Sequence, residues 1–218
     1  MSQAPRLSTI TLLDAVVVSV ICFGLAIAVS IQAVLAGFPE ARFTESGNTS
    51  MIGVEVGLSL TALAYLYIRG FDVSSLYPGP TIRGSLSGIG LFVLAWLVGI
   101  LAVTPFASSH KPQMVEFSFT GISLASTIMF AMVNGAFEEI FLLGVLVRGL
   151  RGLGLSLAIG IPLLVRILYH LYQGPLGAVW VLAFGLTFSL FYLRSQKLWP
   201  PVLAHILWDI VPVIASAG

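Results

Sequence analysis

The chain has 218 residues, of which 58% are hydrophobic and only 9% are charged, and its mean hydropathy is +1.03. A soluble domain carries about 25% charged residues, so this composition excludes an ordinary water-soluble protein and predicts a polytopic membrane protein. The net charge of +1 gives no support for a nucleic-acid or acidic partner. The single cysteine, Cys22, cannot form an internal disulfide, and redox chemistry is not expected.

Seven apolar runs are long enough to cross a membrane, which needs about 20 residues. They lie at about 11–37, 51–69, 84–107, 124–148, 155–174, 175–194 and 198–217. The first run is too long for the core of a signal peptide and is better interpreted as a span. The connectors are polar or rich in turn residues, and Gly174-Pro175 marks the break between the fifth and sixth runs.

No repeat or change in composition divides the chain. We therefore expect one all-α integral membrane domain over residues 1–218, with about seven transmembrane helices around a polar intramembrane cavity. Its motif-bearing core is expected at about 122–217.

The orientation follows from the distribution of Lys and Arg over the short loops. If the N-terminus is cytoplasmic, the outside segments carry only Arg42 and Lys111. The inside segments then carry Arg6, Arg69, Arg83, Arg148, Arg151, Arg194 and Lys197. This asymmetry predicts a protein of the cytoplasmic membrane with its N-terminus inside and its C-terminus outside.

Three of the predicted helices carry ionisable side chains deep within their apolar runs. These are Glu138 and Glu139 on the fourth, Arg166 and His170 on the fifth, and His205 and Asp209 on the seventh. A charged group at the centre of a spanning helix costs about 2.5–3.5 kcal/mol on insertion scales, so the six groups are expected to face one another. Asp14 and Glu55 lie nearer the ends of their runs, where a polar group can reach the interface.

Helical geometry supports a common centre for these side chains. Residues four apart lie on one face of a helix, which applies to Arg166 with His170 and to His205 with Asp209. At a rise of 1.5 Å per residue, however, the two histidines differ in membrane depth by roughly 12 Å. Helix tilt or a break at Pro162 would bring them closer.

Two hydrolytic mechanisms fit these residue types. In one, Glu138 and His170 activate a water molecule, while His205, oriented by Asp209, stabilises the oxyanion. In the other, two histidines and a carboxylate bind a divalent metal such as zinc, with Glu138, His170 and His205 as the candidate ligands. No HExxH segment supports a zinc protease locally. A proton or ion path in a small transporter, and purely structural contacts between helices, are alternatives that use the same side chains.

Three short segments resemble the motifs of the CAAX prenyl protease and bacteriocin-processing (CPBP, or Abi) family of intramembrane endopeptidases. They are "EEIFLLG" from Glu138, "YHLYQG" from Tyr169 and "HILWD" from His205. The motifs occur in the family's order, in separate apolar runs, and span 138–209.

The resemblance implies a role for each matching residue. Glu138 would activate water with His170, Glu139 would support Glu138, and His205 and Asp209 would stabilise an oxyanion or bind a metal. The implied partners are the lipid bilayer and a membrane-associated peptide or protein substrate, such as a prenylated CAAX terminus or a leader or bacteriocin-like peptide. The alternative is a catalytically inactive homologue that binds membrane proteins as a scaffold.

One position departs from the family pattern. Leu143 occupies the place of the arginine in the first motif, and a leucine cannot pair with Glu139. We hypothesise that Arg166 supplies the missing charge, so that its guanidinium lies within hydrogen-bond reach of Glu138 or Glu139. Arg148 is the fallback candidate. Tyr169, Tyr172 and Gln173 are candidate lining residues, with interfacial anchoring as the alternative for the aromatic ones.

Overall fold

The computed structural model describes residues 8–106, 115–119 and 121–216. Arg6 and Lys111, which entered the orientation argument, lie outside the described residues, as does most of the loop between the third and fourth spans.

The described chain is almost entirely helical. The helices are α1 (Leu12–Leu35), α2 (Glu45–Ile68), α3 (Ile82–Val103), α4 (Leu124–Glu139), the short α5 (Arg148–Leu150), α6 (Leu155–Tyr169), α7 (Gly174–Ser195) and α8 (Trp199–Ser216). A π-helix at Ile140–Val147 joins α4 to α5. Two-residue strands, β1 (Ala41–Arg42) and β2 (Phe117–Ser118), pair in parallel. The all-α membrane fold predicted from the sequence is confirmed.

Five helical segments are long and apolar enough to cross a membrane, and α6 and α8 are shorter apolar helices. The segment Leu124–Leu153, which contains α4, has 67% of its apolar window buried, against 17–44% in the other four. The glutamates therefore lie on the most enclosed helix of the bundle, whereas the outer helices expose large apolar side chains suited to lipid contact.

Two element boundaries differ from those predicted. Helix α2 begins at Glu45, six residues before the second apolar run, because the Thr44 side chain accepts from Gly47 N and caps a polar first turn. Helix α6 ends at Tyr169 instead of continuing to about 174, and a 3₁₀ turn over Leu171–Gln173 leads to Gly174. Pro162 lies inside α6 and does not end it.

Small residues allow the helices around α4 to approach closely. Helix α4 packs against α2 and α8, α3 packs against α7 and α8, and α1 packs against α6. A Cβ atom added at Gly135 of α4 would lie 3.1 Å from Ile206 N of α8. A Cβ atom at Gly88 of α3 would lie 2.9 Å from Pro200 O. These contacts bring the helix backbones together and fix the positions of the polar side chains between them.

The two ends of the bundle differ in charge. The strand end carries β1, β2 and Arg42, whereas the opposite end, here called the basic end, carries Arg69, Arg83, Arg148, Arg151, Arg194 and Lys197. At the basic end Asp14 joins α1 to α2, since its carboxylate accepts from Tyr65 Oη at 2.7 Å and from Arg69 Nε at 2.8 Å. Asp14 is thus engaged in a structural contact at the bundle's edge.

Candidate functional site

The two adjacent glutamates occupy the last positions of α4, where the backbone changes from α-helix to π-helix. Glu138 is 6% exposed and Glu139 is fully buried. A π-helix forms i→i+5 hydrogen bonds and frequently marks a functional site. Its wider turn redirects the side chains that follow Glu139, so α-helical spacing does not describe which of them share a face with the glutamates.

Glu139 connects three helices through its carboxylate. Arg166 Nη2 of α6 donates to both of its oxygens, at 2.8 and 2.9 Å. His205 Nδ1 of α8 lies 2.6 Å from its Oε1. Because a carboxylate only accepts, the imidazole carries its proton on Nδ1 in this contact. Glu139 therefore fixes both the cation and the orientation of the histidine ring, the role that sequence analysis gave to Asp209.

Glu138 lies beside this hub with fewer fixed contacts. The Tyr169 hydroxyl donates a short hydrogen bond to its Oε2. The same oxygen lies 3.6 Å from Arg166 Nη1 and 3.8 Å from His205 Nε2. Glu138 thus lies near Arg166 and His205 but forms no bidentate ion pair with either of them.

The guanidinium of Arg166 lies within hydrogen-bond reach of Glu139, as required if Arg166 supplies the charge missing at Leu143. Arg166 is 2% exposed, pairs with Glu139, and has its guanidinium 5.1 Å from the centroid of the Phe184 ring. Its stem fits because position 185 is glycine: a Cβ there would lie 2.9 Å from Arg166 Cδ. Arg166 Nη1 is buried with no hydrogen-bond partner among the described residues, which leaves one donor available beside Glu138.

Leu143, at the motif position, and Arg148, the fallback candidate, do not contact the glutamates in the hydrogen bonds and ion pairs of the described residues. Leu143 is 1% exposed and packs in an apolar cluster with Leu91 and Phe188. Arg148 lies at the basic end, where its Nη1 donates to Ser75 Oγ at 2.7 Å. Arg166 is therefore the arginine that this chain places against the glutamates.

His205 and Asp209 approach the cluster from α8. His205 Nε2 lies 3.7 Å from Asp209 Oδ1. Asp209 accepts from Asn134 Nδ2 at 2.9 Å, and its side chain is 19% exposed. Asn134 was not among the residues predicted from the sequence, although it lies one helical turn before Glu138 and that spacing could have identified it. Asp209 is therefore the most exposed of the carboxylates in the cluster.

His170 lies at the end of α6, and its Nδ1 is 3.0 Å from the carbonyl oxygen of Arg166. A carbonyl only accepts, so this contact assigns the proton to Nδ1 and leaves Nε2 as a lone-pair acceptor. The ring packs against Tyr169, with centroids 4.3 Å apart. His170 is therefore one residue from the tyrosine that contacts Glu138, with a nitrogen suited to accept a proton.

Glu55 of α2 also belongs to this region. Helices α2 and α4 run in the same direction, since Ser123 N donates to Glu45 Oε2 at 3.0 Å and Asn48 Nδ2 donates to Ser126 Oγ at 3.2 Å. Glu55 follows Asn48 by two turns and so faces α4 at the level of Val133. It interacts electrostatically with the ionisable groups of the cluster, and its Oε2 has no hydrogen-bond partner among the described residues.

A compact set of metal-ligating atoms occurs in the cluster. Glu138, Glu139 and His205 each offer one atom, and these atoms lie within 4.8 Å of one another, so the group could hold a divalent metal. Glu139 replaces His170 in the set predicted from the sequence, because α6 ends at Tyr169 and directs His170 Nδ1 to its own backbone. The Glu139 oxygens, however, already accept from Arg166 and His205.

The fold and this cluster define the class of the protein. Membrane-length helices enclose buried carboxylates, an arginine and a histidine that contact one another, as expected for an integral membrane protein with an ionisable centre inside its bundle.

Residues 119–211 match the family model described as type II CAAX prenyl endopeptidase, Rce1-like. The match confirms, for this part of the chain, the resemblance seen in the three motifs. The family supports a protease acting in the membrane. No curated protein and no solved structure matches the chain.

Proposed function

We propose that the protein is an intramembrane endopeptidase that hydrolyses a peptide bond of a membrane-associated substrate. The observation that carries the proposal is the convergence of Glu138, Glu139, Arg166 and His205 from three helices into one buried cluster, within the segment that matches a protease family. The family points to a prenylated CAAX terminus as the first substrate to test. Leader or bacteriocin-like peptides are the second substrate class.

In the proposed reaction Glu138 is the general base. It takes a proton from a water molecule, assisted by Nε2 of His170, and the water oxygen bonds to the carbonyl carbon of the substrate. The C–N bond then breaks, and the proton on Glu138 passes to the leaving amine. The products are a carboxylate and an amine, and no further reactant is needed.

Donors beside Glu138 would stabilise the negative oxygen that develops during the attack. Nη1 of Arg166, which has no hydrogen-bond partner among the described residues, lies 3.6 Å from Glu138 Oε2. His205 Nε2 lies 3.8 Å from the same oxygen, and it donates in the imidazolium form, because Nδ1 already donates to Glu139. Glu139 is a positioning residue, since it orients His205 and Arg166 through both of its oxygens. Asp209 Oδ1 lies 3.7 Å from His205 Nε2 and would help to hold the imidazole in place.

A metal-assisted reaction is the second candidate, favoured by the close set of Glu138, Glu139 and His205. A bound divalent ion would polarise the carbonyl or lower the pKa of its water. Against this candidate, the Glu139 carboxylate already forms an ion pair with Arg166 of the same cluster. We therefore place the metal-free use of Glu138 first.

A chelator test separates these two chemistries. The purified protein, reconstituted in lipid vesicles, is incubated with a farnesylated peptide ending in a CAAX sequence, and the products are identified by mass spectrometry. We expect cleavage that persists after prolonged dialysis against a chelator. Loss of cleavage on chelation, with recovery on adding zinc, would contradict the metal-free mechanism and support the second candidate.

A substrate and variant series tests the proposal itself. A leader peptide replaces the prenylated peptide if the latter is inert, and both are compared with the His170→Ala variant. Cleavage lost in His170→Ala, with the melting temperature preserved, supports the assignment. Cleavage of neither peptide by wild-type protein, or unchanged cleavage by the variant, would refute it.

A further inference from the structure

A cavity of about 400 Å³ lies at the basic end of the bundle, apart from the glutamate cluster. It is bounded by the loop before α3, the start of α5, the end of α7 and the start of α8. Its lining includes Ser75, Tyr77, Thr81, Arg148, Lys197 and Trp199, and we name this cavity the basic pocket. No Asp or Glu is among the described residues that line it.

The two cations of the basic pocket have no acidic partner in the part of the chain that the structure describes. Among the described residues, the ion pairs within 4.0 Å involve Arg42, Arg69, Arg166 and His205 as the cationic side chains. Arg148 is half-buried, donates to Ser75 Oγ at 2.7 Å and lies 5.6 Å from the centroid of the Phe71 ring. Neutral groups thus fix this guanidinium in place and leave its charge uncompensated.

The surroundings add further positive potential. The first turn of α3 borders the basic pocket at Thr81, whose Oγ1 accepts from Gly84 N, and the partial positive charge of a helix N-terminus favours anions. Lys197 also lines a neighbouring cavity of about 350 Å³ that includes Arg83 and Ser195. Arg148 and Lys197 therefore line the basic pocket, and Arg83 lines the adjoining cavity that shares Lys197 with it.

The size and polarity of the recess define what it can accept. Small-molecule pockets commonly enclose about 300–1,000 Å³, and a phosphate group accepts several charge-assisted hydrogen bonds from Arg and Lys. Trp199 and Tyr77 line the same cavity. Such amphipathic rings are typical of the headgroup level of a bilayer. The basic pocket thus combines cations with interfacial aromatic side chains.

We propose that the basic pocket binds a phosphate-bearing anion, either the headgroup of an anionic phospholipid or soluble phosphate. Arg148 contacts the phosphate from a fixed position, and Lys197 closes on it from the exposed rim. This binding is independent of the hydrolytic activity proposed for the glutamate cluster, because the two sites have no residue in common.

Affinity measurements in neutral detergent test the proposal. Purified full-length protein is titrated with phosphatidylglycerol, with phosphatidylcholine and with inorganic phosphate, and the dissociation constant is obtained from the ligand dependence of the melting temperature. We expect phosphatidylglycerol or phosphate to bind, and Arg148→Gln and Lys197→Gln each to weaken that binding roughly tenfold through loss of a charge-assisted hydrogen bond.

The matched control is Arg151→Gln, which removes an exposed cation from the same end without touching the basic pocket. Lys197 is exposed, so its substitution tests the proposal even if Arg148→Gln fails to fold. If phosphatidylglycerol binds and inorganic phosphate does not, the ligand is a lipid headgroup. If both bind, the basic pocket recognises the phosphate group itself. Absence of binding by either probe, or equal weakening in Arg151→Gln, would overturn the proposal.

Discussion

At the scale of single residues, the position of one positive charge distinguishes this chain from the motif pattern of the family that it resembles. The motif arginine is replaced by Leu143, which packs in an apolar cluster, and Arg166 reaches Glu139 from a different helix. A buried carboxylate pair without a cation would carry a large desolvation penalty. Arg166 therefore gives Glu139 the cationic partner that Leu143 cannot supply.

Removing this cation is expected to destabilise the fold. Arg166→Met should lower the free energy of unfolding by about 3–5 kcal/mol, since Glu138 and Glu139 would remain buried without a partner. Arg166→Lys should lie between this variant and wild type, because an ammonium cannot reproduce the planar donor geometry. Denaturant titration in mixed micelles measures the effect. Arg194→Met, which removes an exposed cation from α7, is the control, and equal stability of the two methionine variants would contradict the account.

At the scale of elements, the site depends on how closely α6 and α7 approach. Gly185 of α7 faces the stem of Arg166, and a Cβ added there would lie 2.8 Å from Leu163 Cδ2 as well as 2.9 Å from Arg166 Cδ. Contacts this short require a displacement of the side chains. The glycine thus links the packing of two helices to the position of a charge.

Gly185→Ala is therefore expected to lower the rate of peptide hydrolysis by a larger factor than it lowers the equilibrium constant for folding. A displacement of about 1 Å at a catalytic centre can lower the rate roughly 10²-fold, and the proposed activity assay measures this directly. Gly160→Ala on α6 is the matched control, since a Cβ there meets no atom within 4 Å. A Gly185→Ala rate equal to that of Gly160→Ala would show that the stem of Arg166 tolerates the shift.

The sequence predicted the helices well because apolar runs of membrane length leave few alternatives. It predicted the Arg166 contact because an intramembrane cation requires a partner. It did not predict the π-helix after Glu139, which has no signature in apolar periodicity, and it therefore assigned the ring of His205 to Asp209 instead of Glu139. Asn134 was missed, and Glu55 was wrongly assigned to the interface, because polar contacts between helices depend on register, which composition does not define.

At the scale of the whole molecule, the separation of charge between the two ends predicts its orientation. The basic end carries six of the described Lys and Arg residues, and the strand end carries Arg42. We expect the basic end to face the cytoplasm. Seven spans would then leave the chain termini on opposite sides of the membrane.

Cysteine labelling tests this orientation. The native Cys22 is 2% exposed and should contribute little background. Glu40→Cys places an exposed thiol at the strand end, and Ser74→Cys places one at the basic end. A membrane-impermeant maleimide should label Glu40→Cys in intact cells, and Ser74→Cys only after permeabilisation. The reverse pattern would invert the orientation.

We propose that the buried cluster on α4, α6 and α8 hydrolyses peptide bonds with Glu138 as the base. The most direct measurement is the rate of cleavage of a membrane-borne peptide by wild type and by Glu138→Gln, which keeps the shape of the side chain and removes the base. We expect the variant to lose about 10²–10⁴-fold in rate, while the exposed control Glu45→Gln retains wild-type activity. A folded Glu138→Gln variant that cleaves the peptide at the wild-type rate would exclude Glu138 as the base.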